Sequence, residues 1–443
     1  MSKPMKNKCD LLLHADVVVT QDGKRRVLRH GSVAVADGVV VAVGASSELR
    51  QAWEARDKMD LPGKLLMPGL VNGHCHAPMV LLRGIADDLP LMEWLEDNIW
   101  PIEHQLTEEI IELGARLACA EMLATGTTAF LDGYIHEEVV GRAVQQSGMR
   151  AVLGEGFFGF PSPMFPTPQH CWDSIRDIDG QFAGEPRVRS AVTPHAVFTV
   201  PPEHLTASYE LAEELGMPWQ VHLAESPVET AVCMEKYGKR PVELLDSLGL
   251  LSSRVTLHHC VDVNDGEIAL LAEKQARVVH NPASNFKLNS GMCPVQKMLD
   301  AGVVVGLGTD GAASNNQLNM FRDMGLAALM GKVRADDASA VSASSVLDMA
   351  TRNSAQCLHW PELGRIEAGC PADIIALDLD APNLQPLFNP VSQLVYATSG
   401  HEVCMTMVAG KVVYRDGKYT EFDRNELFEE VRRVQSWIEE RRS

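Results

Sequence analysis

The sequence lacks the features that mark membrane-spanning and secreted proteins. No run among its 443 residues approaches the roughly 18–20 consecutive apolar residues that a membrane-spanning helix needs. The polar segment Met1–Asp10 is not followed by the apolar stretch of a signal peptide. The ten cysteines are scattered and include no CxxC pair, a pattern typical of reduced cytosolic thiols. We therefore expect a cytoplasmic protein that does not bind membranes.

Basic residues are also scarce. The chain has 39 lysines and arginines against 59 aspartates and glutamates, which gives a formal net charge of −20. An acidic surface of this kind repels nucleic acids and anionic membranes. The hydrophobic content of 46% and the charged content of 22% are ordinary for a globular enzyme. We expect a small-molecule partner; the sequence leaves the oligomeric state open, although a homo-oligomer suits a metabolic enzyme of this size.

Both ends of the chain carry short apolar runs typical of β-strands. The runs are Val17–Val19, Ser32–Val35, Val39–Val43, Asp373–Leu377, Met405–Val408 and Lys411–Tyr414. The pair Asp37-Gly38 is a hairpin turn signal. We predict that residues 1–65 and 364–443 form one small composite β-sandwich domain. An amphipathic helix over Asn425–Arg442 should pack on the protein's own surface.

Residues 66–363 alternate short apolar runs with helical patterns. Eight runs are predicted strands: Leu66–Val71, Thr128–Leu131, Ala151–Leu153, Val188–Val192, Trp219–Leu223, Val255–His258, Arg277–Val279 and Val303–Leu307. Helical patterns such as Glu108–Thr125 and Pro202–Leu215 lie between most of them. A parallel βα repeat of this count and length predicts a (β/α)8 barrel of the TIM type.

The connection from Gly154 to Arg187, after the third predicted strand, is long. It is rich in proline, phenylalanine and glycine and includes Phe157, Phe158 and Phe160. Barrel active sites lie at the carboxyl ends of the strands, so we interpret this segment as a lid or a substrate wall. A decorative insertion is the alternative, and the sequence does not show whether the segment moves.

Four of the predicted strands lead into residues that bind metals. His74 and His76 are two positions apart, so in a strand both side chains point to the same face. The other three ends are His222-Leu223-Ala224-Glu225, His258-His259-Cys260 and Gly308-Thr309-Asp310-Gly311. Three imidazoles and one carboxylate around an open position are typical of a hydrolytic zinc site. We predict that His74, His76, His222 and Asp310 bind one divalent cation; zinc is expected, and ferrous iron suits the set almost equally.

Three residues near these ligands are candidates for acid and base catalysis. A bound divalent cation lowers the pKa of coordinated water, to about 7 in favourable cases. Glu225 follows His222 by three residues, so it can reach a substrate without binding the metal. His259 can hold the water or shuttle its proton, and Asp310 is both a ligand and a candidate base. For Glu225 the alternative is a solvated loop carboxylate.

This constellation resembles the amidohydrolase superfamily. That superfamily carries HxH on the first barrel strand, histidines on the fifth and sixth strands and an aspartate on the eighth. The fourth predicted strand here ends in Thr193-Pro194-His195 and carries no lysine. Binuclear members have a carboxylated lysine there, so the resemblance implies one cation per subunit. The composite β domain is also a feature of the superfamily.

A closer resemblance, over nearly the whole chain, is to the 5′-methylthioadenosine/S-adenosylhomocysteine deaminases. It rests on the segments Asp87–Leu95 and Trp100–Glu103. The resemblance implies that Glu103 accepts hydrogen bonds from the ribose hydroxyls, that Trp94 walls the nucleoside and that His195 contacts the substrate. The alternatives are that Trp94 is a core residue and that Glu103 is an exposed helix-end carboxylate.

The reaction that the resemblance implies is hydrolytic deamination. Glu225 protonates N1 of adenine, and a hydroxide oriented by His259 and Asp310 attacks C6. The intermediate then loses ammonia with proton transfer through Asp310. Glu225 and Asp310 are therefore expected to contact the substrate as well.

One departure from these deaminases bears on the substrate. Members that take S-adenosylhomocysteine use arginines after the third strand to bind the amino acid carboxylate. Here Gly154–Cys171 contains no arginine, and the next ones are Arg176 and Arg187. The phenylalanines of this segment suit an apolar methylthio group. We predict a preference for 5′-methylthioadenosine, or another 5′-modified adenosine, over S-adenosylhomocysteine.

Other hypotheses fit the sequence less well. A hydrolase of a ribose-free aminoheterocycle, such as a triazine or guanine, would share the metal site but offers no vicinal diol to Glu103. A non-catalytic scaffold on this fold would be expected to lose ligands, and all of them are present. The cytidine-deaminase class needs a P-C-x-x-C sequence, which is absent.

Overall fold

The computed structural model describes residues 6–89, 93–159 and 165–442. Its strands are β1 (Asn7–Val19), β2 (Val27–Ala36), β3 (Val39–Ala45), β4 (Trp53–Pro68), β5 (Leu70–Cys75), β6 (Thr127–Tyr134), β7 (Arg150–Phe157), β8 (Val188–Pro194), β9 (Trp219–Leu223), β10 (Val255–His259), β11 (Arg277–His280), β12 (Val305–Leu307), β13 (Ile374–Asp378), β14 (Val403–Val408), β15 (Lys411–Arg415) and β16 (Lys418–Tyr419). They form two eight-stranded sheets.

Helices connect most of these strands. Within the described ranges the α-helices are Ser46–Ala52, Trp100–Glu103, Glu108–Ala124, Glu137–Ser147, Pro168–Gln181, Pro202–Leu215, Pro227–Tyr237, Pro241–Ser247, Asp265–Lys274, Pro282–Lys287, Val295–Asp300, Ala312–Asn315, Met320–Ala335, Ala343–Asp348, Ser354–Cys357, Pro390–Tyr396 and Arg424–Arg442. Shorter turns of 3-10 helix are Ala77–Leu82 and Pro382–Leu384, and π-helical turns are Trp94–Ile99 and Met349–Asn353.

Strands β5 to β12 form a closed parallel barrel. Each pairs with the next in chain order. The two ends of the sheet meet where the N–H of Asp310 donates to the carbonyl of His74 at 3.0 Å. Beside it the N–H of Thr309 donates to Oδ1 of Asn72 at 3.0 Å. The strands are buried almost throughout, as expected for parallel strands covered by helices. The predicted (β/α)8 barrel is confirmed.

The other sheet is built from both ends of the chain. Its order is β16-β15-β14-β13-β4-β1-β2-β3, so β4 joins the N-terminal strands to the C-terminal ones. The predicted hairpin at Asp37-Gly38 is present, with positive φ at both residues. The sheet curls on itself, because the N–H of Val40 donates to the carbonyl of Cys370. Leu13 and Ile374, from the two halves, therefore share one apolar cluster.

The prediction of a single strand over Leu66–Val71 was wrong. The first part of this run ends β4, which extends to Pro68, whereas β5 of the barrel begins at Leu70. The chain changes sheets at Gly69, where an added Cβ atom would lie 2.1 Å from Oγ1 of Thr128. The run is apolar on both sides of this point, so its hydrophobicity does not reveal the change. The domain boundary predicted between residues 65 and 66 falls inside β4.

The C-terminal helix Arg424–Arg442 packs on the protein itself, as predicted. Leu427 and Ile438 on its apolar face are buried. Ile438 belongs to an apolar cluster that also contains Trp94. Across the described ranges, no helix has both the length and the apolar character that crossing a bilayer requires.

A buried ion pair links the barrel to the composite sheet. Nε of Arg150 in β7 donates to Oδ2 of Asp373 at 2.7 Å, and a second nitrogen donates to Oδ1 at 3.2 Å. Both side chains are almost fully buried, at 6% and 3% exposure. We expect Arg150→Met to lower the free energy of unfolding by about 3–5 kcal/mol, because it leaves the Asp373 carboxylate buried without its partner.

The matched control for this prediction is Arg50→Met. Arg50 pairs with Asp60 on the surface, where both side chains are more than half exposed. Breaking an exposed pair should cost about 1 kcal/mol or less. Urea unfolding followed by circular dichroism compares the two variants, and equal losses would contradict a linking role for Arg150.

Candidate active site

The predicted site residues gather at the carboxyl ends of the barrel strands. His74 lies in β5, His76 directly follows it and His222 lies in β9. His259 ends β10 and Asp310 follows β12, with φ of 73° and 61°. Left-handed backbone is costly for residues with a Cβ and persists where the surrounding structure holds it. These two side chains are therefore held in defined positions.

Four donor atoms face one another at this end of the barrel. Nε2 of His222 lies 3.1 Å from Nε2 of His74 and 3.3 Å from Nε2 of His76. Oδ1 of Asp310 lies 3.4 Å from Nε2 of His74 and 3.2 Å from Nε2 of His76. Four donors about 2.1 Å from one tetrahedral ion would be about 3.4 Å apart. The set therefore has the dimensions that a divalent cation requires.

His259 places a fifth donor beside these four. The side chains of His74, His222, His259 and Asp310 also offer one donor atom each, all within 4.8 Å of one another. His74, His222 and Asp310 belong to both sets. Nε2 of His76 lies 3.3 Å from Nε2 of His222 and 3.2 Å from Oδ1 of Asp310, close to the separation of donors around a tetrahedral ion.

In His76 and His222 the hydrogen bond of the second nitrogen determines which atom faces the centre, whereas Nδ1 of His74 has no hydrogen-bond partner among the described residues. Nδ1 of His76 lies 2.6 Å from the carbonyl oxygen of Gly133, and Nδ1 of His222 lies 2.7 Å from the carbonyl oxygen of His195. Since a carbonyl only accepts, both Nδ1 atoms carry and donate the proton. When the rings are neutral, both Nε2 atoms present a lone pair, which is the usual arrangement of metal-binding histidines.

The electrostatics of these groups also suit a cation. Burial lowers the pKa of His74 to about 3 and lowers the pKa of His222 well below its ordinary value, so both rings are neutral at pH 7. Burial raises the pKa of Asp310, but hydrogen bonds with His74 and His76 outweigh it and hold this pKa well below its usual value. Burial lowers the pKa of His76 too, but the hydrogen bond with Asp310 raises it to about 9. A proton on His76 therefore competes with a cation for the same donors.

Glu225 and His259 lie in the cleft next to this donor set. Glu225 is buried, and burial raises the pKa of its carboxyl group. Its carboxyl oxygens have no hydrogen bond to any residue that the structure describes, so it holds its proton more readily than a solvated carboxyl. Nδ1 of His259 lies 2.8 Å from Oδ1 of Asn285. If this oxygen accepts the Nδ1 proton, Nε2 of His259 is the atom free to take another.

The sequence analysis did not identify two serines that bind Asp310. Oγ of Ser284 donates to Oδ2 of Asp310 at 2.5 Å, and Oγ of Ser314 donates to the same oxygen at 2.9 Å. These bonds leave Oδ1 to face the histidines. Ser314 follows Asp310 by four residues, a spacing that could have suggested the contact. Ser284 comes from the helix after β11, and no local sequence signal connects it to Asp310.

The residues predicted to bind a nucleoside line the same cleft. The hydroxyl of Tyr134 donates to Oε1 of Glu103 at 2.5 Å, a partner that the sequence analysis missed. The indole N–H of Trp94 is buried and has no hydrogen-bond partner among the residues described. Nδ1 of His195 lies 2.8 Å from Oγ1 of Thr199. The arrangement places Glu103, Trp94 and His195 around one space.

The segment after β7 contributes an aromatic wall. Phe158 lines the cleft, and its ring centroid lies 4.7 Å from that of His195. Phe157 instead packs in the core, with its ring centroid 4.8 Å from that of Trp172. Phe160 lies outside the described residues. The wall interpretation of this segment therefore depends on Phe158.

In the described part of the chain, no lysine or arginine lines this cleft. The first arginines after the β7 segment are engaged elsewhere. Arg176 pairs with Glu214 at 3.1 Å, and Arg187 pairs with Glu185 at 3.2 Å. The cleft therefore offers no cation from these residues to a substrate carboxylate.

Known proteins resemble this chain along nearly its whole length. The model of the amidohydrolase family matches residues 65–413. A 5-methylthioadenosine/S-adenosylhomocysteine deaminase from Nitratidesulfovibrio vulgaris (strain Hildenborough) is 52% identical over 432 residues, which cover 98% of each chain. The crystal structure of an adenosine deaminase from Xanthomonas campestris with bound zinc has a TM-score of 0.96 at 38% identity, covering 98% of this chain and 100% of that one. An atrazine chlorohydrolase from Arthrobacter aurescens complexed with zinc has a TM-score of 0.88 at 26% identity, covering 96% of this chain and 100% of that one.

We expect His222→Ala to lose the bound divalent cation. The change removes an Nε2 donor that lies within 3.3 Å of two others. Water does not readily replace a lost protein ligand in a buried metal site. The measurement is the metal content per chain of the purified variant, by mass spectrometry of the elements.

The matched control for this prediction is His280→Ala. His280 is also a buried histidine at the end of a barrel strand, β11, but it belongs to neither donor set. This variant should keep its metal. A His222→Ala protein with unchanged metal content would contradict the assignment of the metal site.

Proposed function

The chain belongs to the amidohydrolase family, and we propose that it catalyses the metal-dependent hydrolytic deamination of 5′-modified adenosines. The observation that carries this proposal is one cleft that contains both halves of the required chemistry. A buried carboxyl group and a metal-donor set lie beside a carboxylate and aromatic side chains suited to a nucleoside. The relatives named as deaminases of such nucleosides support it.

We assign His74, His76, His222 and Asp310 as ligands of one divalent cation per subunit. Zinc is the expected ion, since the solved relatives contain zinc and the donor set of three imidazoles and a carboxylate suits it. A bound divalent cation supplies nucleophilic hydroxide at neutral pH by lowering the pKa of its water.

The protein's own residues then supply the proton transfers. Glu225 donates a proton to N1 of the adenine ring, which makes C6 more electrophilic; its raised pKa keeps that proton available. His259 orients the attacking water through Nε2 and can take up its proton. That proton then passes by way of Asp310 to the leaving amino group, and the proton of the new C6 hydroxyl group returns to Glu225 as the product carbonyl forms. Addition of water at C6 and loss of ammonia give the corresponding 5′-modified inosine.

The nucleoside is held by the remaining residues of the cleft. Glu103 is positioned by Tyr134 and can accept hydrogen bonds from both ribose hydroxyls. Trp94 and Phe158 offer aromatic surface, and His195 contacts the ribose or ring. A ribose-free heterocycle would use neither Glu103 nor its partner, which favours a nucleoside over a triazine or guanine.

Several wider proposals accompany this activity. All ten cysteines are free thiols, which is consistent with an enzyme of the reducing cytoplasm. We assign catalysis to the barrel, predicted at residues 66–363.

We expect 5′-methylthioadenosine to be the preferred substrate over S-adenosylhomocysteine. An amino acid carboxylate would enter a cleft without a basic partner among the described residues, and an unpaired buried charge should lower kcat/KM about ten-fold or more. Ammonia release by zinc-loaded protein is compared for these two nucleosides, adenosine and guanine. A higher kcat/KM for S-adenosylhomocysteine would refute the preference, and turnover of guanine alone would refute the nucleoside assignment.

We expect Glu225→Gln to lower kcat by about 100-fold to 10,000-fold, the usual contribution of a general acid. Glutamine keeps the volume and can hydrogen-bond N1, but it cannot transfer a proton there. The KM for 5′-methylthioadenosine should change little, because Glu103, Trp94 and His195 are intact. A variant that retains about half of kcat would show that another group protonates the base.

A further inference from the structure

The hydrogen bond that holds Glu225, the proposed proton donor, is made by its backbone N–H group. The Glu225 carboxyl group has no hydrogen bond to any residue that the structure describes. Strand β9 ends at Leu223, and Ala224 has a left-handed backbone with φ of 50°. Whatever fixes the backbone of Glu225 after this turn also limits the directions that its side chain can take.

Glu229 makes that fixing contact. Its Oε2 accepts a hydrogen bond from the backbone N–H of Glu225 at 2.7 Å. The Glu229 side chain is buried, at 4% exposure, and its other carboxyl oxygen has no hydrogen-bond partner among the described residues. Burying a carboxyl group with one unpaired oxygen costs free energy of folding. A role in holding Glu225 would account for its presence at this position.

A neighbouring helix shows that this contact differs from ordinary helix capping. The helix Asp265–Lys274 follows β10 as Pro227–Tyr237 follows β9. There Oε2 of Glu267 accepts from the N–H of Asn264, the residue that caps the helix, as in a standard capping box. Glu229 occupies the same position in its own helix but reaches one residue further back, past the cap residue, to Glu225.

We propose that Glu229 is a positioning residue for Glu225, holding the loop after β9 so that the proton-donating carboxyl group faces the base of the substrate. This inference rests on the proposed function, because it takes Glu225 as the proton donor. Glu229 itself does not line the cleft; it lines a neighbouring pocket that shares Phe198 and Leu288 with the cleft.

The contact needs an acceptor oxygen rather than a charge. Burial raises the pKa of Glu229 to about 8, and the backbone N–H groups of Glu225 and Ala224 act in the opposite direction. In either protonation state one oxygen can accept from the N–H of Glu225. A glutamine at this position also offers that oxygen, whereas a methionine of similar length does not.

Three variants test the inference: Glu229→Met, Glu229→Gln and, as the matched control, Glu267→Met. We expect Glu229→Met to lower kcat by about 10-fold to 100-fold, the scale of a small misplacement of a reacting group. Its KM should stay within about two-fold, because the residues that hold the nucleoside are untouched. Glu229→Gln should restore kcat to within about three-fold of the parent.

Glu267→Met separates positioning from stability. It removes a carboxylate that caps a helix and is similarly buried, at 2% exposure. Its Oε2 accepts from the amide of Asn264 and from Nε of Arg240 at 2.9 Å, and neither group belongs to the loop after β9. We expect it to lower the melting temperature and leave kcat within about two-fold. A Glu229→Met protein that keeps kcat, or whose KM rises as much as its kcat falls, would overturn the inference.

A structural measurement does not depend on turnover. Crystal structures of the parent and of Glu229→Met should differ in the direction of the Glu225 side chain and not in the donor set; an unmoved Glu225 would overturn the inference. Should Glu229→Met fail to fold, Glu229→Asp, shorter by one methylene, carries the same expectations. If the parent protein were inactive but the Glu225 side chain were displaced in Glu229→Met, the proposed function would be refuted and the positioning role of Glu229 would stand.

Discussion

The closure of the barrel is the constraint on which the rest of this site depends. The hydrogen bond from the N–H of Asp310 to the carbonyl of His74 joins the last strand to the first. It is formed by the backbones of two residues whose side chains both point to the donor set. Residues more than 230 positions apart in the sequence are thereby held at ligand distance before any ion binds. An open sheet of the same strands would leave His74 and Asp310 at opposite edges.

The site is held in place by residues that do not themselves carry out chemistry. Ser284 and Ser314 fix one oxygen of Asp310, and Asn285 orients the ring of His259. Asp310 and His259 both have left-handed backbone, which is costly for residues with a Cβ atom. Such conformations persist only where neighbouring contacts over-determine them. The supporting contacts therefore explain why the strained residues stay in position.

The sequence was most informative where chemistry and periodicity coincide. The HxH pair and the strand ends at His222 and Asp310 could be predicted, because the strand period and the residue types both place these side chains at the same sheet edge. The change from one sheet to the other at Gly69 could not be predicted, because a single apolar run contributes to both sheets. Ser284 and Tyr134 were missed for a different reason: their contacts depend on tertiary packing between separate βα units. The local sequence pattern predicts which side chains a strand directs to one face. It does not predict which residues of other βα units contact those side chains.

Two carboxyl groups in one cleft have different surroundings, which suit them to the different roles proposed for them. Burial raises the pKa of both Glu103 and Glu225. The Tyr134 hydroxyl donates to Glu103 and opposes that rise, so Glu103 is suited to carry charge and accept hydrogen bonds from a diol. The pKa of Tyr134 is itself raised well above its ordinary value, chiefly by burial, so the phenol keeps the proton that it donates. Glu225 has no such donor to its carboxyl group and is suited to hold a proton. The hydroxyl of Tyr134 is thus one contact that suits Glu103 and Glu225 to the different roles proposed for them.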